Sequence, residues 1–417
     1  MSAPERSLVS PAELEAQLVR FINGTLLRGD GDVDRDTRLF EEGHINSLRI
    51  LDLIAAVEKA IGAKIPDRAV RLANFRTVAT IVRTFHPSSE KDEPASTTSA
   101  DHVLERRRDR ARFAPPLDAL IARGDLTLTN AGQVSLAGAA LDVMLAVDQT
   151  VQQWARELGA MEHRYPSLIA ADALRRAGRE EWTLVIPSER GDTPAPRSAG
   201  DAASNRQHPD SGLSAGGRGN ALAPAVCYHA YPEYEDETLG ADPVILTALG
   251  RCYRHEDGNH VPLERLWEFN MREVIVLGTR EQVESTRQQL VRRITQLVDT
   301  LELDATIGVA ADPFFTSADE SRRLMQQAGA LKHELRLTVE PNGRAIAAAS
   351  FNHHLDYFGT RFAIKLPNGL PAYSGCVALG LERWVLAIFS QLGVDEAGWP
   401  TSAREWLHDA RRTLPRA

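Results

Sequence analysis

A chain of 417 residues, 43% of them hydrophobic, with a mean hydropathy of −0.28, has material for two or three globular domains with sizeable cores. No apolar run approaches a membrane span and the N-terminus lacks a charged-then-apolar signal pattern, so no membrane partner is expected and a cytoplasmic setting is. The balance of 48 basic against 57 acidic residues gives a net charge of −9, which excludes a general nucleic-acid binder because counterion release needs a basic surface. The three cysteines, Cys227, Cys252 and Cys376, are too few for a disulfide framework and read as buried thiols or metal ligands.

Residues 1–86 read as a small all-α unit. Pro11 to Gly24 places Leu14, Leu18, Phe21 and Ile22 on one helix face, and a second helix begins at Ser47, with Leu48, Leu51, Ile54 and Val57 on its buried side. Val78 to Phe85 forms a last short helix. Ser47 stands where free N–H groups and the positive end of the helix dipole stabilise a phosphate ester. Asn46 or Ser47 acting only as an N-cap is the competing reading. From Pro87 the composition turns to Pro, Ser, Thr, Glu and Lys, so residues 87–110 are expected to be a flexible linker, with Glu105 to Arg112 as a solvated helix face.

A second domain, 111–417, follows. Leu117 to Leu141 gives weak strand and turn signals, Leu145 to Leu158 a helix, Ala171 to Ala177 another, and Trp182 to Ile186 an apolar strand. Residues 190–221 are Gly-, Ser-, Ala- and Asp-rich without apolar periodicity and read as a disordered insertion. Arg280 to Leu301 is a long amphipathic helix. Ala305 to Val309, Leu331 to Val339 and Ala345 to Phe351 are strands, and Tyr373 begins a small-residue strand that runs into a buried helix. Antiparallel strands with surrounding helices make the class α+β.

The most informative stretch is Arg251 to Val274. Charged and uncharged residues alternate up to Glu256, a Gly258-containing turn follows, and the return segment ends in a β-rich run, which describes a hairpin. Period 2 puts Cys252, Arg254 and Glu256 on one side, and the return adds Arg265, Glu268, Phe269, Arg272 and Glu273. Guanidinium forks read phosphate oxygens and an aromatic face accepts a base, so a nucleotide site competes with a salt-bridged surface hairpin.

Two resemblances extend this reading. The segment with Leu39-Phe40-Glu41-Glu42-Gly43 ahead of Asn46-Ser47-Leu48 resembles acyl and peptidyl carrier proteins, which implies 4′-phosphopantetheine on Ser47; that family has Asp where this chain has Asn46. Arg254-His255-Glu256, Leu263-Glu264-Arg265, Phe269 and Glu273 look like motif 2 of class II aminoacyl-tRNA synthetases, nearest the seryl type, and Gly380-Leu381-Glu382-Arg383 looks like motif 3. Tyr165-Pro166 is a weaker motif 1, the homodimer element.

The second resemblance implies an antiparallel-sheet ATP site that makes an aminoacyl-adenylate. Arg254 would hold the α-phosphate and the amino-acid carboxylate, Glu256 the adenine amino group, Phe269 the ring and Arg383 the γ-phosphate, with Mg2+ bridging phosphates. Ser350 to Arg361 aligns with the stretch lining that site, but the usual magnesium carboxylate is replaced within Ala347-Ala348-Ala349. The two histidines His353 and His354 read as a hydrogen-bonded strand pair rather than as ligands.

A carrier-like unit stands where a tRNA-gripping arm would be. The combination resembles amino acid:carrier protein ligases, which implies charging of a phosphopantetheine thiol with a small amino acid, glycine or alanine, and no tRNA partner. It also implies a Zn2+ site at Cys227 on the strand before motif 2, Glu273 and Cys376, leaving one position open for the substrate amino group. Cys252 is then structural. A tRNA-charging seryl enzyme and an inactive regulatory or carrier-docking homologue are the rival functions.

Overall fold

The computed structural model describes residues 10–27, 32–40, 44–45, 49–65, 69, 72–86, 102–109, 113–178, 185–186, 219–255, 258–310 and 331–413. Ser47, Glu256, residues 87–101 and most of the 190–221 segment lie outside these. The chain divides into two compact units, Met1–Val103 with Gly308–His333, and Leu104–Ile307 with Glu334–Ala417.

In the first unit, helix α1 (Pro11–Phe21) begins at a capping box: Ser10 Oγ accepts the Glu13 amide at 3.3 Å and Glu13 Oε2 accepts the Ser10 amide at 2.8 Å. A π-turn (Ile22–Leu26) continues it, so the helical segment runs two residues past the expected Gly24. Helix α2 (Ile50–Ile61) ends at Gly62 in the left-handed conformation, and α3 (Val78–Phe85) is capped by the Thr77 hydroxyl. Their apolar stripes share one core of Leu14, Leu18, Ile22, Leu53, Val57, Phe75 and Ile81. The helix expected from Ser47 begins at Ile50 among the described residues.

In the second unit an eight-stranded sheet has the order β1-β10-β11-β12-β13-β9-β8-β4. The strands in chain order are β1 (His102–Arg106), β2 (Leu126–Asn130), β3 (Gln133–Leu136), β4 (Met161–His163), β5 (Leu168–Ala170), β6 (Val185–Ile186), β7 (Asn220–Leu222), β8 (Val244–Tyr253), β9 (Glu268–Gly278), β10 (Ala305–Val309), β11 (Lys332–Thr338), β12 (Ala345–Leu355) and β13 (Tyr373–Gly380). Strands β8, β9, β13 and β12 pair antiparallel, and β4 joins β8 in parallel, so the sheet is mixed but dominated by antiparallel pairs. The unit's helices include α4 (Leu117–Ala122), α5 (Gly138–Glu157), α6 (Ala171–Arg176), α7 (Ala230–Glu233) and α8 (Arg280–Thr300), and one face of the sheet packs on α5, α8 and the helix Leu381–Leu392 through Val143, Val147, Val274, Leu290, Ile294, Val377 and Trp384. The other carries smaller clusters around Tyr231, Ile275 and Phe358, and around Cys252 and Met271.

Five expectations change. Glu105 and Arg106 belong to edge strand β1, not to a linker or a helix; Leu104 alone of Leu104 to Arg106 is buried, and charged residues on an edge strand discourage further pairing. Leu117–Ala122 is a helix, and α5 starts at Gly138 rather than Leu145 because Ala139 and Ala140, too small to register as apolar periodicity, are buried. Asn220 and Ala221, placed in the disordered insertion, form β7 between β5 and β6 with Ala221 fully buried. Cys227 lies in a 3-10 turn (Cys227–His229), not in a strand. No helix among the described residues is long and apolar enough to cross a membrane.

Candidate active site

The hairpin β8–β9 builds the site, and its alternation separates residues that the sequence reading had grouped. Phe269, Met271, Glu273 and Ile275 lie on the face with the smaller clusters, whereas Asn270, Arg272 and Val274 point to the helices. Arg272 is therefore no phosphate ligand. It is fully buried, with Nε and Nη2 donating to Asp148 at 2.7 and 3.1 Å and Nη1 to Glu162 at 2.8 Å, which ties β9 to α5 and β4. Burial works against its charge, but Asp148 and Glu162 outweigh it and hold the guanidinium pKa raised. Glu268 pairs instead with Arg251 at 3.1 Å.

On the opposite face Glu273 is buried. It faces Ala378 across the β9–β13 ladder, so Cys376, two residues earlier on β13, is its diagonal neighbour. The turn carrying Cys227 closes over them. One ligating atom from each of Cys227, Glu273 and Cys376 lies within 4.8 Å of the others, and all three residues are buried. Glu273 Oε1 accepts the Val226 amide at 3.0 Å, while Oε2 is buried with no hydrogen-bond partner among the described residues.

All three groups hold their protons more tightly than usual. The Cys227 thiol is pushed well up by its hydrogen bond with Cys376, then by burial and the Glu273 charge. For Cys376 that same hydrogen bond acts downward, but burial and Glu273 prevail and the thiol is raised. Burial raises Glu273, and the neighbouring thiols and the Val226 and Cys227 amides act downward without offsetting it. Three acidic groups crowded in a dry site are what a bound cation resolves, and an orphaned carboxylate oxygen beside two sulfurs fits a zinc ligand set. Cys252, also buried, contacts Met271 Sδ at 3.9 Å and stands outside the trio.

Further along the same face the structure brings Arg254 to Phe269. The Arg254 amide donates to Trp267 O at 3.0 Å, extending the hairpin by a residue, its Nε donates to Pro224 O at 3.2 Å, and its guanidinium lies 5.2 Å from the Phe269 ring centroid. Phe269 precedes Glu273 by four residues, so the Arg254–Phe269 pair and the cysteine cluster are about 13 Å apart along the strand. Arg383 bridges the motif 2 turn and β12, with Nε donating to Glu264 O at 2.8 Å and Nη1 to Ala347 O at 2.9 Å. Through Ala347 to Ala349, β12 offers backbone carbonyls to Arg383 and Trp384 and no side-chain carboxylate.

Two interactions went unseen in the sequence. Glu382 is buried beside Arg383, and its carboxylate accepts the Asn270 amide at 2.9 Å and its Nδ2 at 2.8 Å, clamping the motif 3 helix onto β9. His354, read as half of a strand pair with His353, reaches Cys376 instead, with Nε2 at 3.9 Å from Sγ. His353 is buried elsewhere, accepting the Leu355 amide at 3.0 Å.

This sheet, with its paired motif hairpin and following helix, is a class II synthetase-like fold joined to a helical unit. Residues 215–392 match the tRNA synthetase class II core domain (G, H, P, S and T), and residues 16–85 match the phosphopantetheine attachment site. The solved M. kandleri SerRS in complex with A. aeolicus tRNASec superposes with a TM-score of 0.59 at 21% identity, covering 85% of this chain and 72% of that one.

Among curated proteins, the chain is 34% identical over 187 residues to amino acid--[acyl-carrier-protein] ligase 1 of Bradyrhizobium diazoefficiens, covering 45% of this chain and 57% of that protein. The second such ligase of the same organism is also 34% identical, with 55% of its length covered. A type-2 serine--tRNA ligase of Methanothermobacter thermautotrophicus is 26% identical over 262 residues, 60% of this chain and 51% of that protein. The chain thus spans a little over half the length of the two ligases.

Proposed function

We propose that the chain activates a small amino acid, glycine or alanine, with ATP and passes it to the phosphopantetheine thiol of a carrier protein, either its own N-terminal unit through Ser47 or a separate one. The observation that carries this reading is the buried Cys227–Glu273–Cys376 cluster, with its orphaned Glu273 oxygen, on the same sheet face as Arg254 and Phe269. The phosphopantetheine match and the two ligase relatives support a carrier as acceptor over tRNA.

In the first step an amino-acid carboxylate oxygen attacks the ATP α-phosphorus and pyrophosphate leaves. Two anions must meet, so positioning and charge neutralisation dominate. Arg254, anchored by Pro224 O and the Trp267 carbonyl, presents its fork to the α-phosphate and the carboxylate. Phe269 stacks on adenine, Glu256 accepts from its amino group, and Arg383, fixed by two backbone carbonyls, faces the γ-phosphate. Mg2+ bound with ATP would neutralise phosphate charge, and Ala347 to Ala349 supply no carboxylate to hold it.

A zinc ion on Cys227, Glu273 and Cys376 would supply a Lewis-acid position for the substrate's amino group. In the second step the thiolate attacks the adenylate carbonyl, AMP departs, and a thioester results; a thiol is the better nucleophile at neutral pH. A cytoplasmic homodimer is part of this reading.

The test is pyrophosphate exchange into ATP with glycine or alanine, combined with intact mass of the full chain. Exchange that is lost on chelation and in Cys376→Ala is expected, with a phosphopantetheine and then an aminoacyl increment on Ser47 or on an added carrier. Undiminished exchange in metal-free protein would remove zinc from the reading, and acylation of tRNA instead of a carrier would overturn the acceptor.

A further inference from the structure

Two side-chain nitrogens from beyond the cluster lie near the Cys376 sulfur: Asn352 Nδ2 at 3.4 Å, which donates to it, and His354 Nε2 at 3.9 Å. Asn352 is there by register, since it pairs directly with Cys376 across β12–β13. The histidine, two residues further along β12, falls on the same face by alternation, and the ladder is irregular at its position. Asn352 pairs with Cys376 and His353 with Gly375, but Leu355 then pairs with Ser374, so His354 is the additional residue of a bulge. The next residue, Leu355, sits at φ +53°, a backbone region costly for a leucine, which persists only where the surroundings demand it.

Those surroundings hold the imidazole on every side. Phe358 meets it edge-on at 4.9 Å and Tyr231 at 6.1 Å. The Tyr231 and Ser374 hydroxyls lie 3.2 and 3.3 Å from Nδ1. With one of these hydroxyls donating to the single lone pair of Nδ1, the ring's own proton belongs on Nε2, the nitrogen nearer Cys376.

We propose that His354 is a positioning residue for the metal ligand Cys376: the β12 bulge and the Tyr231 and Ser374 hydroxyls aim its Nε2–H at the thiolate, fixing the sulfur's orientation and drawing off part of its charge. The inference rests on the metal-binding reading above. A thiolate that donates less electron density leaves its metal a stronger Lewis acid towards an incoming amine, and outer partners of this kind set both ligand geometry and affinity.

The test uses cobalt(II) as a coloured stand-in, titrated into the metal-stripped full-length protein. Wild type, His354→Phe, which keeps a ring but has no donor, and His354→Gln, which keeps an N–H near the Nε2 position, are compared. The phenylalanine variant is expected to move the sulfur-to-cobalt charge-transfer band to longer wavelength and to weaken cobalt binding about tenfold or more; the glutamine variant should stay near wild type. A band unmoved in His354→Phe overturns the proposal, even if affinity falls, because affinity alone follows from any local disorder. Equal shifts in both variants also overturn it, since the donor would then be irrelevant. If His354→Phe does not fold, His354→Leu makes the same comparison. Wild-type protein that takes up no cobalt would instead sink the metal reading itself, a separate outcome.

Discussion

Replacing Asp148 by alanine should destabilise the synthetase-like unit while leaving every proposed substrate contact in place. Arg272 has no exposed surface and directs three N–H groups to two carboxylates, two of them to Asp148. Asp148→Ala strands the guanidinium on Glu162, whose side chain is 30% exposed and so only partly shielded from water. Removing one partner of a buried ion pair costs about 3–5 kcal/mol, most of it the desolvation of the charge left behind. That corresponds to a fall in melting temperature of roughly 10 °C for a unit of this size. All six tryptophans lie beyond residue 150, so their fluorescence follows this unit without interference from the helical one. Because the penalty belongs to the stranded charge, the double variant Asp148→Ala with Arg272→Met should recover part of the loss. A cost below about 1 kcal/mol, or a double variant less stable than Asp148→Ala, would refute the argument.

Two further outcomes follow from burial and from close approach. Burial depresses the His353 pKa to about 4, with Glu284 acting upward and Arg287 and Arg280 downward, against about 6.5 in the unfolded chain. The folded state therefore resists protonation: the stability is complete above about pH 6.5 and is lost as pH falls towards 4, by about 3 kcal/mol. His229, also depressed to about 4 by burial, adds a second component. His353→Gln should accordingly reduce the slope of melting temperature against pH in that window without abolishing it, and an unchanged slope would sink the assignment. At Gly359 an added Cβ would lie 2.1 Å from Ala372 O and 2.8 Å from its amide nitrogen, backbone that cannot step aside. Gly359→Ala should cost about 3 kcal/mol or more in urea melts, whereas Gly398→Ala, with nothing within 4 Å, should be near neutral.

Much of the fold was legible because its residues repeat with a period the chain itself displays. Arg280 to Leu301 and Val78 to Phe85 carry helical stripes, and the strand entering the helix at Leu381 announces itself by small residues followed by an apolar run. Period 2 in β9 was legible too, but periodicity says that neighbours alternate, not which face meets the ligand. Charge alone places Arg272 with Glu273, and only the positions of Asp148 and Glu162 show that it faces inward. The start of α5 was hidden by alanines, whose burial a sequence does not signal. The bulge at His354 left no trace in residue type, since it is fixed by pairing between β12 and β13. Cys227, Glu273 and Cys376 were named through resemblance; their spacing alone, with no close ligand pair, carried little.

The alternation along β9 also governs which length changes the chain can survive. Adding or removing a residue in the turn between β8 and β9 leaves the alternation along both strands unchanged, because they keep their pairing partners. A single-residue insertion between Phe269 and Glu273 would exchange the two faces for part of the strand. It would take the carboxylate away from the two thiols, removing one of the three proposed metal ligands, and turn it towards Asp148, where two acids would repel each other in place of the Arg272–Asp148 pair. Relatives of this chain should therefore differ in the length of that turn and hold the number of residues between the aromatic and the carboxylate constant.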